Sequence, residues 1–152
     1  MALQTGDKIP EFSAKDNNGN DFESSSIVGK KPVVFYFYPK DNTPGCTAQA
    51  CSFRDQYEDF KDLGAEVVGI SSDSIASHEK FVQQYQLPFI LLSDNDKKIR
   101  KLFGVKPDLL GLIPGRVTYV VDKNGIIQFV FDSMNATNHI PKALETIKKM
   151  VS

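Results

Sequence analysis

The sequence predicts an α/β fold: a mixed central β-sheet flanked by helices on both faces, with a short β-hairpin extension at its N-terminal end. Three observations lead there. Pro32-Val33-Val34-Phe35-Tyr36-Phe37-Tyr38 is a continuous β-branched and aromatic run, the pattern of a central strand buried on both faces. Downstream, segments with apolar residues at three- and four-residue steps alternate with short apolar runs, which is the alternation of helix and strand. Nearer the C-terminus, two β-rich segments flank Asp122-Lys123-Asn124-Gly125, and an Asn-Gly turn joins antiparallel strands.

Each element follows in order. Phe12 to Phe22 centres on the turn signal Asn17-Asn18-Gly19-Asn20 and reads as the N-terminal hairpin. The strand over Pro32 to Tyr38 leads into a loop from Pro39 to Gly45. A helix follows, with Ala50, Phe53, Tyr57, Phe60 and Leu63 on its apolar side and Gly64 as its stop. Glu66 to Ile70 is the next strand, and a helix from about Ser74 to Tyr85 carries Phe81, Val82 and Tyr85 inward. Phe89 to Leu92 is a short strand, and Asp96 to Phe103 is a helix ending at Gly104. Val117 to Val121 and Ile126 to Phe131 form the hairpin, and a last helix runs from about Asn138 to Met150. A βαβ unit followed by a hairpin and a closing helix is the thioredoxin-like arrangement. No repeat or linker interrupts it, so residues 1–152 are expected to form one domain.

Composition excludes several functions. With 41% hydrophobic and 24% charged residues the chain is globular in character. Lys+Arg 18 against Asp+Glu 19 gives a net charge of −1, so no basic field invites nucleic acid or an anionic membrane. No apolar run approaches the roughly 20 residues that cross a bilayer. Met1 to Thr5 lacks a basic and then apolar leader, which makes the cytoplasm the expected compartment, a processed organelle form being the alternative. Two cysteines are too few for a disulfide scaffold. They also make a poor zinc site, because His78 and His139 stand at unsuggestive spacings. Both histidines are expected to be solvated helix residues.

The chemistry concentrates in Tyr38-Pro39-Lys40-Asp41-Asn42-Thr43-Pro44-Gly45-Cys46-Thr47-Ala48-Gln49-Ala50-Cys51. A helix starting near Gly45 puts Cys46 in its first turn, where unpaired N–H groups and the helix dipole favour a thiolate. Helix N-termini lower a cysteine pKa from its ordinary value of about 8.5, and the thiolate is the reactive form. Thr43 can offer its hydroxyl to the sulfur or to a bound oxygen. Pro39 and Pro44 stiffen the loop. Cys51 lies five residues beyond Cys46. On an ideal helix that is about 7.5 Å of rise and roughly 140° of rotation, hence ~8.7 Å between Cα atoms. A disulfide needs about 4.4–6.8 Å. The two cysteines therefore never pair, or pair only when the first turns unwind. From the residues alone, Cys46 and Cys51 can each also be read as small core residues.

The loop Pro39-x-x-x-Thr43-x-x-Cys46 resembles the active-site motif of peroxiredoxins. Thr43-Pro44-Gly45-Cys46-Thr47, with a second cysteine at Cys51, is similar to their PrxQ or bacterioferritin-comigratory-protein subfamily, of atypical 2-Cys type. The similarity covers nearly the whole chain, through Phe35-Tyr36-Phe37-Tyr38-Pro39, Gly69-Ile70-Ser71, Leu91-Leu92-Ser93-Asp94, Pro114-Gly115-Arg116 and Tyr119-Val120-Val121-Asp122. It implies a thiol peroxidase acting on hydrogen peroxide and organic hydroperoxides, with Cys46 as the peroxidatic and Cys51 as the resolving cysteine. Thr43 then bonds the peroxide oxygens, Pro39 shields the sulfenic acid, and Gly45 lines the substrate position. Arg116 faces the sulfur and stabilises charge on the departing oxygen. Without the resemblance Arg116 reads as a surface residue at a strand start. The implied partner is thioredoxin or a similar dithiol, the implied state a monomer, and no metal, haem or flavin is called for.

Two rivals share the fold. Thiol–disulfide oxidoreductases use Cys-x-x-Cys, whereas four residues separate these cysteines. A redox sensor predicts stoichiometric oxidation without turnover. Finally, Asp108-Leu109-Leu110-Gly111-Leu112-Ile113-Pro114 is apolar yet loop-like. It is expected either to cap the core or to wall the pocket against which alkyl hydroperoxides or the reductant rest.

Overall fold

The computed structural model describes residues 3–105, 116–133 and 138–151. The apolar segment over residues 108–114 lies outside them. Among the described residues, seven strands form one mixed sheet in the order β2-β1-β5-β4-β3-β6-β7. At its centre β3 (Val33–Phe37) pairs in parallel with β4 (Glu66–Ser71), and β4 in parallel with β5 (Ile90–Ser93). On the other side β6 (Val117–Val121) pairs antiparallel with β3, and β7 (Ile127–Asp132) antiparallel with β6. The hairpin of β1 (Ser13–Asp16) and β2 (Asp21–Glu23) is antiparallel and docks on β5.

All five residues of β3 are buried, as the continuous apolar run predicts. Its alternation feeds two cores. Val34 and Tyr36 face one core with Phe53, Phe60, Phe81 and Ile147, so α1 (Pro44–Asp55), α2 (Tyr57–Asp62), α3 (Ile75–Tyr85) and α5 (His139–Val151) cover that side. Val33, Phe35 and Phe37 face the other core with Phe12, Ile99 and Phe103, closed by α4 (Lys98–Phe103) and the N-terminal segment. Helices thus flank both faces.

Differences from the predicted boundaries have local causes. The helix expected to run unbroken to Leu63 divides at Gln56, whose φ of −101° and ψ of 4° tighten the turn. Phe53 and Phe60, on either side, are fully buried with rings 5.9 Å apart. α4 begins at Lys98 rather than Asp96, because the Asp94 carboxylate reaches forward to accept from the N–H groups of Ile99 and Arg100. The two hairpins use one device. Asp16 Oδ1 accepts from the N–H of Asn18 and Asn20, and Asp122 Oδ1 accepts from Asn124 and Ile126. In the second, only Gly125 of the Asn-Gly pair takes a positive φ, 83°, and a register shift between Val120 and Val121 absorbs the extra residue.

Both histidines depart from the expectation of solvated helix residues, since each has no exposed surface. At the start of α5, His139 Nε2 donates to the Ser133 carbonyl at 2.7 Å, while Nδ1 takes the Thr118 hydroxyl at 2.7 Å. That pairing suits a neutral ring. Burial, aided by the charge of Arg116, pulls the His139 pKa down from 6.5 to about 4.

Tight packing appears at Gly69, which lies opposite Tyr36 on β3 and Leu91 on β5. A Cβ there would sit 2.7 Å from Leu91 Cδ2 and 2.8 Å from Tyr36 Cζ.

Gly69→Ala therefore overpacks the centre of the sheet, and urea denaturation should show a loss of about 1–3 kcal/mol. For His139, the unfolded chain takes up a proton between pH 6.5 and about 4 that the folded chain refuses. Stability should fall through that window by on the order of 3 kcal/mol and level off below it. In His139→Gln the same titration of urea midpoints should be flatter by that amount.

Candidate active site

The site forms where β3 ends and β6 begins. Their antiparallel register sets Phe37 opposite Val117, so the residue preceding β6, Arg116, stands beside the residue following β3, Tyr38. The chain then runs from Tyr38 through the loop into α1. Thr43 is the N-cap residue in extended conformation, Pro44 is the first helical residue, and Thr47 N–H makes the first helical bond to the Thr43 carbonyl at 2.8 Å. Cys46 is therefore in the first turn, where backbone N–H groups lack intrahelical partners.

Arg116 is buried, 3% exposed, in contrast to the surface position that a strand start suggests. Its Nη2 donates to Cys46 Sγ at 3.2 Å. Its Nη1 donates to Gln49 Oε1, one helical turn beyond Cys46. One guanidinium fork thus spans the sulfur and a buried amide on the same helix face. Gln49 Nε2 and Arg116 Nε have no partner among the described residues, so donor capacity remains beside the sulfur. Gln49 is fully buried, and sequence reasoning misses it. Its signal is a polar residue three positions after Cys46, on the helix side that carries Ala50 and Phe53 into the core.

Cys46 is 1% exposed and Cys51 is half-buried. Both are free, and α1 is continuous from Pro44 to Asp55, so they lie on one intact helix. The ideal-helix separation of ~8.7 Å applies. Thr43 is half-buried, and its hydroxyl donates to the Lys40 carbonyl at 2.9 Å rather than to the sulfur, leaving its oxygen free to accept. Pro39 is half-buried, while Pro44 and Gly45 are exposed.

Behind the loop lies a polar network that the sequence does not announce. Tyr38 OH donates to Asp41 Oδ1 at 2.6 Å, Ser77 Oγ donates to Asp41 Oδ2 at 2.8 Å, and His78 Nδ1 is 2.6 Å from the same oxygen. Burial, then the Asp41 charge, raises the Tyr38 phenol well above its ordinary range and keeps it a donor. Tyr36 is raised likewise by burial, and next by charge at Cys46 and Asp41. Its ring stacks on Phe53 at 4.6 Å and on Tyr38 at 5.4 Å, which places an aromatic floor under α1. Arg100, from α4, donates to the Tyr38 carbonyl at 3.1 Å.

A sulfur in a helix first turn, held by a buried arginine, is the arrangement of a reactive thiol. Comparison with known proteins agrees. Residues 5–130 match the AhpC/TSA family model. The chain belongs to the AhpC/TSA family. It is 52% identical over 146 residues to the chloroplastic peroxiredoxin Q of Sedum lineare, covering 95% of this chain and 78% of that one. Against the chloroplastic peroxiredoxin Q of Arabidopsis thaliana it is 51% identical over 147 residues, covering 96% and 68%. Among solved structures, the peroxidoxin BcpB of Mycobacterium tuberculosis superposes with a TM-score of 0.91 at 36% identity, covering 99% of each chain. Peroxiredoxin Q of Xanthomonas campestris superposes with a TM-score of 0.85 at 27% identity, covering 93% and 92%. The resemblance read from the motifs and the thioredoxin-like fold both hold, and as a peroxiredoxin the chain is by class a thiol-dependent peroxidase.

The bridging role of Arg116 yields a graded prediction in peroxide-consumption assays. Arg116→Ala should lower kcat/KM for peroxide by roughly 10²–10³-fold. Arg116→Lys keeps the charge but not the fork. Gln49→Leu leaves the fork unheld, and both should fall between wild type and Arg116→Ala.

Proposed function

We propose that Cys46 reduces hydrogen peroxide and organic hydroperoxides and that Cys51 resolves the product through an intramolecular disulfide. The observation that carries this reading is the Arg116 Nη2 to Cys46 Sγ contact of 3.2 Å in the first turn of α1. In the first step the Cys46 thiolate attacks the terminal oxygen of ROOH. The O–O bond breaks, sulfur is oxidised to the sulfenic acid, and RO⁻ leaves to be protonated to water or an alcohol. The Arg116 guanidinium, already on the sulfur, stabilises charge as it passes to the leaving oxygen. Thr43, with its hydroxyl proton committed to Lys40, keeps its oxygen as acceptor toward a peroxide O–H. Pro39 covers the sulfur side, and Gly45 leaves the approach open.

In the second step the Cys51 thiol condenses with the sulfenic acid, forming the S–S bond and releasing water. An intact α1 holds the two Cα atoms beyond disulfide reach, so its first turns unwind for this step. In the third, an external dithiol reduces the disulfide by exchange and is itself oxidised. Thioredoxin or a similar protein is the proposed reductant, and the monomer is the proposed working state, with residues 1–152 as one domain. No described helix is long and apolar enough to cross a membrane. The chloroplastic relatives support an organelle form beside the cytoplasmic one expected from the sequence.

The coupled assay with thioredoxin, its reductase and NADPH tests this reading. Wild type should turn over continuously, and Cys46→Ser should lose peroxide consumption entirely. Cys51→Ser should consume one equivalent per chain and stop, with a sulfenic acid on Cys46 that dimedone traps for mass spectrometry. Peroxide turnover by Cys46→Ser at the wild-type rate would sink the proposal, and a single stoichiometric oxidation of wild type would favour the sensor.

A further inference from the structure

The buried network behind the loop has no part in the three steps above, yet it divides the catalytic loop into two unlike halves. Upstream, Tyr38 and Asp41 are tied to the sheet, to α3 and α4, and to Asp73 ahead of α3. Tyr38 N–H donates to the Ile70 carbonyl at 3.1 Å, and the Tyr38 carbonyl accepts from Arg100 at 3.1 Å. Asp41 N–H donates to Asp73 Oδ2 at 2.7 Å, and the Asp41 carboxylate takes Tyr38, Ser77 and His78. His78 is in turn held by the Leu92 carbonyl of β5 at 3.0 Å from Nε2. Downstream, Asn42 takes a left-handed φ of 60°, and Pro44 and Gly45 are exposed. From Asn42 to Gly45 the hydrogen bonds are local, the Thr43 hydroxyl to Lys40 and the first bond of α1, and the next tie to the sheet is Arg116 on Cys46.

The chemistry of the pair sets the character of the anchor. Nε2 faces a carbonyl, which only accepts, so Nε2 carries a proton. One proton then lies between Nδ1 and Asp41 Oδ2, and the pair is neutral as a unit. Asp41 is 5% exposed and His78 fully buried, so neither is left to water if the other is removed.

Building on the proposed disulfide route, we propose that Asp41 and His78 are positioning residues: a fixed anchor upstream of Asn42 that holds the folded, peroxide-reactive form of the loop against its unwinding. A Cys46 sulfenic acid then has two fates. In the wound form it meets a second peroxide molecule, which oxidises it to sulfinic acid and leaves as water or alcohol. In the unwound form Cys51 reaches it. The anchor biases this partition because it fixes the loop end from which the first turn of α1 is wound.

The test uses His78→Gln and the double variant Asp41→Asn/His78→Gln. In the single variant the introduced glutamine would set an amide oxygen or an ill-placed donor against the Asp41 carboxylate. In the double variant an Asn amide can donate to a Gln oxygen, whose own amide reaches the Leu92 carbonyl, restoring a neutral hydrogen-bonded pair. Two quantities are measured on folded protein: the rate of Cys46 oxidation by peroxide, and the sulfinic fraction per turnover by mass spectrometry. His78→Gln should need several-fold more peroxide per turnover to reach the same sulfinic fraction, and its Cys46 oxidation should slow in proportion to the share of the wound form it loses. The double variant should return both toward wild type. If His78→Gln does not fold, Ser77→Ala removes one donor to Asp41 and should shift both quantities the same way by less. An unchanged sulfinic fraction per turnover in a folded single variant, or no recovery in the double variant, overturns the anchor. Absence of Cys46-dependent turnover in wild type instead overturns the disulfide route itself, so the two failures are distinct.

Discussion

The antiparallel pairing of β3 with β6 is the constraint on which the site depends. Because Phe37 lies opposite Val117, the chain leaving β3 and the chain approaching β6 meet at the ends of two neighbouring strands inside the sheet. Arg116 and the loop that ends in Cys46 are brought together there although they are far apart in sequence. A one-residue slip in that register would turn Arg116 to the opposite face. The register is secured by burial on both sides, since every residue of β3 and β6 is buried. The same complete burial that makes β3 a plain apolar run therefore sets the distance between a guanidinium and a sulfur.

Two demands on α1 pull in opposite directions. Its first turn must be wound for Cys46 to sit among free N–H groups and against Arg116. On the proposed disulfide route it must also come apart for Cys51 to reach the oxidised sulfur. Packing differs between the two ends of the helix. Tyr36, Phe53 and Phe60 make a continuous aromatic layer under the middle of α1 and its continuation α2. Ahead of the buried Cys46 and its bond to Arg116, Thr43 is half-buried and Pro44 and Gly45 are exposed. Packing is thus thinnest over Thr43 to Gly45 and dense from Cys46 onward, so a local opening would begin at the very start of the helix.

Polar groups inside the fold serve the same loop from behind. Asp41, Ser77 and His78 satisfy one another, and His78 also reaches Leu92. Buried polar groups of this kind hold one geometry because the unpaired alternative is costly. His139 plays a parallel part on the other side, joining Thr118 of β6 to the Ser133 carbonyl, while Ser133 N–H reaches the Arg116 carbonyl at 3.2 Å. Each histidine ties one half of the site to the sheet.

Much of this was legible in the chain itself. The run Val33 to Phe37, the Asn-Gly turn, and the three- and four-residue spacings are local signals, and local signals predict local structure. The cysteine loop was legible for the same reason, since a first-turn cysteine and a five-residue spacing are facts of helix geometry. Gln56, Asp94 and the bulge beside Val121 moved boundaries by a few residues, because side-chain bonds and packing override propensity at element ends. What the sequence could not order was its long-range company. Gln49, Asp41, both histidines and, but for the family resemblance, Arg116 read as ordinary surface or loop residues until the sheet register and α3 buried them. Burial and partnership are properties of contacts between distant segments, and only the tertiary structure decides those. The sequence by itself determined that Cys46 and Cys51, on one helix, cannot bond across it; the fold decided how Arg116 is buried against the sulfur and what holds the loop.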